Sequence, residues 1–419
     1  MNSYFKRFVL ASGFTNLADG IATVAWAWLA SLLTRDPILI ATVPIALRLP
    51  WFLFAIPAGI VTDRTDRRLL ILRMDALRAI AFLVAGLAVW QALPLAPAPQ
   101  YGVSDTGLFA ALIVAALAVG IAEVFRDNAA QTILPSIVPH DALEKANGRM
   151  WSVELVGNAL LGPALGAFLI AYALPLPLLV NAAAYVLAVV LVVTVAGKFR
   201  PEEKVARNWR RELREGVEFL RQARLMRSLA WITGFWNLLF NMVLIALLLH
   251  VQENLQAGAR TYGLILASGA VGGILGGWMG DRVVARLGPC RTAQFMLLAS
   301  VPAFLAMALA PNAIALCVVF AVFEFTGIVW NTVSVSYRQR TIPDELLGRV
   351  NSVYRLLAWG MMPVGLALSG IIVRLMEEFV ERPLALIAPF LAATVGAIAL
   401  GWIGWYALDR GFADMQGKE

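Results

Sequence analysis

The sequence predicts an all-α membrane protein whose twelve transmembrane helices form two pseudo-symmetric six-helix bundles. Three observations carry this: an apolar, charge-poor composition, apolar runs of bilayer length from end to end, and a repeat linking the two halves. Sixty per cent of the 419 residues are hydrophobic and 15% charged, with a mean hydropathy of +0.75. A soluble domain covers itself with about 25% charged residues. The apolar runs reach the roughly 18 residues that cross a hydrocarbon core.

Turn signals and charges divide the chain into spans at 8–33, 37–61, 69–94, 107–133, 149–173, 177–197, 228–250, 261–283, 291–311, 313–336, 349–375 and 384–408. Short Pro-bearing loops such as Thr34-Arg35-Asp36-Pro37 and Leu174-Pro175-Leu176-Pro177 separate spans on one side. The apolar run after Lys6 and Arg7 is too long for a leader's apolar region and lacks a small-residue cleavage site, so it reads as the first span. Cys290, Cys317, His140 and His250 are too few and scattered for a disulfide framework or a metal cluster.

Charge sets the orientation. Of 34 Lys and Arg, only Arg35, Arg260, Arg374 and Arg382 fall on the face opposite the termini, and Arg48 lies inside a span. Short loops rich in Lys and Arg stay in the cytoplasm, so a bacterial inner-membrane protein with both termini cytoplasmic is expected. The net charge of +7 then reports topology. A nucleic-acid partner would need a soluble basic domain, and the chain has none.

The one long polar stretch, 198–227, carries ten basic residues. Trp209, Leu213, Val217 and Leu220 recur in it at helical spacing, which predicts an amphipathic linker helix on the inner leaflet. It divides an N-terminal bundle, 1–197, from a C-terminal bundle with a short tail, 228–419. The repeat supports the division. Gly148-Arg149-Met150-Trp151-Ser152-Val153, opening the fifth span, recurs as Gly348-Arg349-Val350-Asn351-Ser352-Val353, opening the eleventh. Pro163 and Pro363 keep the same offset of 200 residues. Gly59-Ile60-Val61-Thr62-Asp63-Arg64 recurs as Gly277-Trp278-Met279-Gly280-Asp281-Arg282.

These residues resemble the major facilitator superfamily along the whole chain. Gly59 to Arg68, with Asp63, Arg64, Arg67 and Arg68 in place, is similar to that superfamily's loop signature between spans two and three. The copy at Asp281 and Arg282 is weaker, since Ala285 replaces the first later basic residue. The resemblance implies that the loop acid sits against the start of span eleven and locks one alternating conformation. A helix N-terminus attracts a carboxylate. Gly157, Gly162, Pro163 and Gly166 are similar to the span-five signature of exporters that exchange substrate for protons. Plain close helix packing explains the same residues. Asn16-Leu17-Ala18-Asp19-Gly20, Arg48-Leu49-Pro50-Trp51-Phe52-Leu53-Phe54 and Phe125-Arg126-Asp127-Asn128 look like the branch of macrolide, tetracycline and siderophore exporters. The resemblance also implies that spans one, four, seven and ten line the cavity.

Ionisable residues inside spans are costly, about 2.5–3.5 kcal/mol each on insertion scales, and mark function by default. Asp19 and Arg48 each lie 11 residues into their span, roughly 16 Å deep. They are expected to pair, or to share a water-filled cavity in which Asp19 takes up a proton during transport; a static ion pair is the alternative. Glu324, near mid-depth in span ten, is a second proton-coupling candidate, with substrate contact or structural bonding as alternatives. Glu123, Arg126 and Asp127 cluster in span four as a gate, a proton path or a self-neutralised network. Glu154 and Arg355 are pseudo-equivalent residues read as a gate between halves or as interfacial charges. Asp75 and Arg78 read as structural. Phe235, Trp236, Asn237 and Asn241 in span seven, with Asn16 and Asn331, are candidates to line a substrate cavity, although each asparagine also suits helix–helix bonding.

No phosphate loop and no hydrolase or metalloprotease motif stands in the sequence. The expectation is a monomeric, non-enzymatic secondary transporter without cofactor, driven by the proton gradient. It would export amphiphilic small molecules or drugs by alternating access. A siderophore or lipid-like metabolite exporter, a proton symporter, and a transporter-fold sensor or channel are the other readings.

Overall fold

The structure is a computed structural model describing residues 3–139, 143–195, 197, 199, 209–342 and 344–416. The side chains of Asp63, Trp209, Leu213, 344–349 and Ser352 lie outside the described set, as do His140 and residues 198 and 200–208 of the linker. Sixteen α-helices follow one another among these residues. They are α1 (Ser3–Leu33), α2 (Pro37–Arg64), α3 (Arg67–Gln91), α4 (Thr106–Ile133), α5 (Leu143–Glu154), α6 (Gly162–Tyr172), α7 (Leu176–Val193) and α8 (Trp209–Gln222). Then come α9 (Arg224–Leu249), α10 (Ala259–Leu287), α11 (Pro289–Leu309), α12 (Ala313–Thr341), α13 (Asp344–Trp359), α14 (Met362–Met376), α15 (Arg382–Ala385) and α16 (Ala388–Gln416).

Among the described residues, eleven stretches are long and apolar enough to cross a membrane. The twelfth expected span, α3, is not among them. It has 25 residues and packs between α4 and α7, with Asp75 and Arg78 wholly buried. Charges turned into a bundle are the tolerated kind, so α3 completes a twelve-span fold. Arg78 and Arg126, which charge counting places on the terminus-bearing face, are interior residues.

The fifth and eleventh spans are each broken, and both second halves start with proline in the first turn. In the fifth, a π-helical segment, Leu155–Leu161, joins α5 to α6. Pro163 has no N–H to give the carbonyl four residues back, and its ring crowds that carbonyl. The wider π turn relieves both, and the Gly162 N–H reaches the Gly157 carbonyl instead. In the eleventh span the break is a turn at Gly360 and Met361, ahead of Pro363.

The chain forms two compact units: residues 1–205 with 258–267, and residues 206–257 with 268–419. The start of α10 thus groups with the first unit rather than with the C-terminal half. In unit 1, Phe5, Phe8, Ile71, Ile133 and Val192 form a core at the end bearing the N-terminus. In unit 2, Leu225, Leu229, Val350, Tyr354 and Leu408 do the same beside the C-terminal helix. The helix α8 corrects the inner-leaflet expectation in part. Leu220 is buried and Val217 and Phe219 pack with it on the unit 2 core, and α8 lies along α13. Protein takes up the Val217–Leu220 end of that apolar face. Elsewhere in unit 2, Arg382 clasps Glu253 through two hydrogen bonds of 2.5 and 2.9 Å and also bonds Glu377.

Candidate functional site

Unit 1 gathers ionisable side chains from five spans into one network, buried at Asp75, Arg78 and Arg126 and open to the surface at Arg48. Asp19 of α1 accepts hydrogen bonds at Oδ1 from the Arg78 guanidinium of α3 and, at 2.6 Å, from the Tyr185 hydroxyl of α7. Arg78 also lies over the Tyr185 ring, 4.3 Å from its centroid. One layer away, Arg126 of α4 is shared between Asp127 at 3.2 Å and Asp75 at 3.6 Å. It donates a 3.0 Å hydrogen bond to the Thr15 hydroxyl of α1. Neither oxygen of Asp75 has a hydrogen-bond partner among the described residues, so Coulomb attraction to Arg126 is its main compensation. Glu123, one turn before Asp127, turns toward Arg48 at 3.9 Å, a distance too long for a hydrogen bond.

The expected direct pairing of Asp19 with Arg48 therefore does not form. The reason is register: Arg78 reaches Asp19 from α3, whereas Arg48 of α2 faces Glu123 of α4. Asp19 and Arg48 do line one small cavity, with Glu123, Asn158, Thr23 and Trp26. Asp75 and Arg78, read from sequence as shallow structural charges, stand inside the network.

The span-five glycines press on α1 beside it. A Cβ on Gly20 would lie 2.8 Å from both the Gly157 carbonyl oxygen and the Gly162 Cα. Gly157 faces Asn16 and Leu17, and Gly166 faces Ile21. Asn16 bonds the Ser12 carbonyl of its own helix at 2.8 Å, so it serves this seam. The bulk of one methyl here requires backbone movement. Gly20→Ala is expected to lower stability by about 1–3 kcal/mol, read as an earlier thermal melt of the purified protein.

The loop residues expected to lock a conformation act, within unit 1, as helix caps. Arg67 donates to the Thr132 carbonyl at the end of α4, at 2.9 Å. Arg68 donates to the Val192 carbonyl at 3.2 Å and to the Val193 carbonyl, at the end of α7. Cations belong at helix C-termini, where carbonyls are unsatisfied and the dipole is negative. Arg64 is exposed, and a Cβ on Gly59 would meet open space. The Asp63 carboxyl lies outside the described residues. In the second copy Asp281 is exposed and Arg282 bonds the Trp278 carbonyl one turn back. Glu154 is exposed on α5, and Arg355 stacks over Trp359, 4.2 Å from its centroid.

Unit 2 bonds mainly through neutral groups. The Tyr354 hydroxyl of α13 meets Thr233 of α9 and Ser334 of α12, both at 2.9 Å. Arg338 covers the Tyr354 ring at 3.9 Å. Asn237 donates to the Ala358 carbonyl and Asn241 to the Asn237 carbonyl, at 2.9 and 2.8 Å. Both asparagines are buried; Asn237 ties α9 to α13, whereas Asn241 bonds its own helix. Phe235 is exposed beside Trp231. Trp236 instead stacks on Phe323, with Phe240 and Phe320 adjoining. Glu324 and Asn331 share a face of α12, one half-buried and one exposed.

Sequence reasoning passed over Tyr185, Tyr354 and Arg338. For Tyr185 a signal existed: Asn181 and Tyr185 are the polar positions of an aliphatic span, four residues apart. Both bond α1, Asn181 through the Ala18 carbonyl at 2.9 Å. No group of three or more His, Cys, Asp and Glu among the described residues is placed to hold a metal ion.

A family model described as transmembrane secretion effector matches residues 1–408. No curated protein matches the chain. Among solved structures, a bacterial homologue of the iron transporter ferroportin, inward-facing, is similar at a TM-score of 0.70 and 18% identity, covering 96% of this chain and 100% of that one. A bacterial homologue of the human lysosomal transporter Spinster matches at 0.71 and 16%, covering 99% and 98%. The nucleoside transporter NupG matches at 0.67 and 12%, covering 97% and 99%. At such identities the likeness shows the fold.

Proposed function

The chain belongs to the transmembrane secretion effector family of major facilitator transporters, and from that premise we propose that it exports amphiphilic small molecules in exchange for protons. One observation supports this most: the charge balance of the network in unit 1. Four acids, Asp19, Asp75, Glu123 and Asp127, meet three arginines, Arg48, Arg78 and Arg126. One carboxylate is in excess, so a single proton neutralises the set. Uncompensated charge in a low-dielectric interior is expensive, and reversible protonation offsets it.

Asp19 is the best-placed acceptor. Both of its donors meet Oδ1. Oδ2 carries no hydrogen bond from the described residues, while the side chain borders the cavity shared with Glu123 and Arg48. Protonating Asp19 weakens its hold on Arg78 and Tyr185, and with it the bracing of α1 against α3 and α7. The α1–span five seam carries that change into the broken fifth span. Alternating access follows if the two arrangements of α1 favour opposite openings. In this reading both termini are cytoplasmic, the membrane is a bacterial inner membrane, and one chain contains the whole pathway.

The test uses the full chain in sealed proteoliposomes under an imposed pH gradient, with a panel of amphiphilic compounds and an internal pH dye. Compound-dependent proton movement is expected. Compound flux without proton movement contradicts the coupling. Conduction that persists after the two units are cross-linked marks a channel instead.

A further inference from the structure

The polar cavity of unit 1 is too small for a cargo and large enough for water. Asp19, Thr23 and Trp26 of α1, Arg48 of α2, Glu123 of α4 and Asn158 of the π segment line it. Its volume is about 30 Å³. Organic ligands occupy pockets of roughly 300–1,000 Å³. One water needs only about 10–15 Å³, together with two to four polar partners.

Three such partners stand in its wall. Trp26 is 2% exposed, and its indole Nε1 is buried with no hydrogen-bond partner among the described residues. A buried indole N–H usually finds an acceptor. Asp19 Oδ2 is the second partner, since the Arg78 and Tyr185 bonds both end on Oδ1. Glu123 is the third, because Arg48 at 3.9 Å stands beyond hydrogen-bond reach of it. The Thr23 hydroxyl donates to the Asp19 carbonyl at 3.0 Å, which leaves Trp26 as the neutral donor. The Trp26 ring is braced as well. It stacks on Phe82 at 5.4 Å, and Phe82 stacks at 5.6 Å on Tyr185, the tyrosine that bonds Asp19.

We propose that this cavity is a proton-transfer site, in which one water held by Asp19 Oδ2, the Glu123 carboxyl and the Trp26 N–H carries the coupling proton between the two acids. Protonated Glu123 gives its proton to the water, and the water gives one of its own to Oδ2. Glu123 ends as a carboxylate, Asp19 as a neutral acid, and the water is regenerated. The transfer trades one ion pair for another. With the proton on Glu123, Asp19 holds Arg78; with the proton on Asp19, Glu123 holds Arg48. Trp26 is a positioning residue that acts through the water. This inference rests on the proton-coupling reading and adds to it a second acid and the donor that aligns the transfer.

The test needs no transported compound. The full chain in proteoliposomes is stepped in pH while infrared difference spectra follow the carboxyl band and the O–H stretch of ordered water, which oxygen-18 water identifies by its shift. A pH-dependent water band is expected, and it disappears in Trp26→Phe, which keeps the ring stack and removes the N–H. Proton equilibration after the step is expected to slow about tenfold in that variant, the worth of one hydrogen bond. Glu123→Asp keeps the charge count, draws the carboxyl back by one methylene, and is expected to slow equilibration likewise. A parent without an isotope-shifted band overturns the proposal, as does parent-like equilibration in Trp26→Phe at an unchanged melting temperature. If Trp26→Phe melts early, Glu123→Asp decides, and parent-like equilibration there overturns the proposal. Compound-driven proton movement with no water band removes the site and leaves antiport standing. A water band and slowed variants without compound-driven movement keep the site and remove antiport.

Discussion

Asp19→Asn is expected to lower compound-driven proton movement about 100-fold or more, while the protein still folds and melts close to the parent. If transport protonates Asp19 in every cycle, the fold already accommodates a neutral side chain of that shape. Arg78 then keeps the Tyr185 ring, 4.3 Å away. A static ion pair predicts the opposite, because removing one partner of a buried pair costs about 3–5 kcal/mol. Thermal melts and dye-reported proton flux on one preparation distinguish the two. Early melting with residual coupling assigns the pair to structure.

Arg126→Leu has the largest expected effect on stability. Asp75 is fully buried, and neither of its oxygens has a hydrogen-bond partner among the described residues. Arg126, 3.6 Å away, is its closest ion-pair partner and also bonds Asp127 and Thr15. Without the guanidinium, two carboxylates lose their counter-charge, and stability is expected to fall by about 3–5 kcal/mol. That is a large share of a typical folding free energy. Adding Asp75→Asn to the same chain should recover much of the loss. Size-exclusion profiles and melts of both variants check this; failure of the second substitution to rescue places the role of Arg126 elsewhere.

The fold was legible because its signals are extended. Apolar run length marks spans, and the Pro163–Pro363 offset marks the duplication, each by summing over many residues. The site was partly legible. Asp19, Glu123, Arg126 and Asp127 announce themselves, since charge in a span is rare and costly. Their partners do not, because partner choice depends on how helices rotate and approach. Depth matching placed Asp19 and Arg48 at one level, but the rotation of α3 brings Arg78 to Asp19 first. The span-five glycines showed that something approaches closely; that it is α1, with a π turn between, depends on tertiary packing. Spacing on a helix face does not say whether that face meets a cavity or a helix, so the bond of Asn237 to α13 was out of reach of the sequence.

In the proposed cycle Asp19 gains and loses the coupling proton. Infrared difference spectroscopy on reconstituted protein reads this directly, by following the carbonyl stretch of a protonated carboxyl as a transported compound is added and removed. The account predicts a compound-dependent carboxyl band that disappears in Asp19→Asn and persists in Glu324→Gln. A band that persists in Asp19→Asn, or a wild-type protein that moves protons with no carboxyl signal, would contradict it.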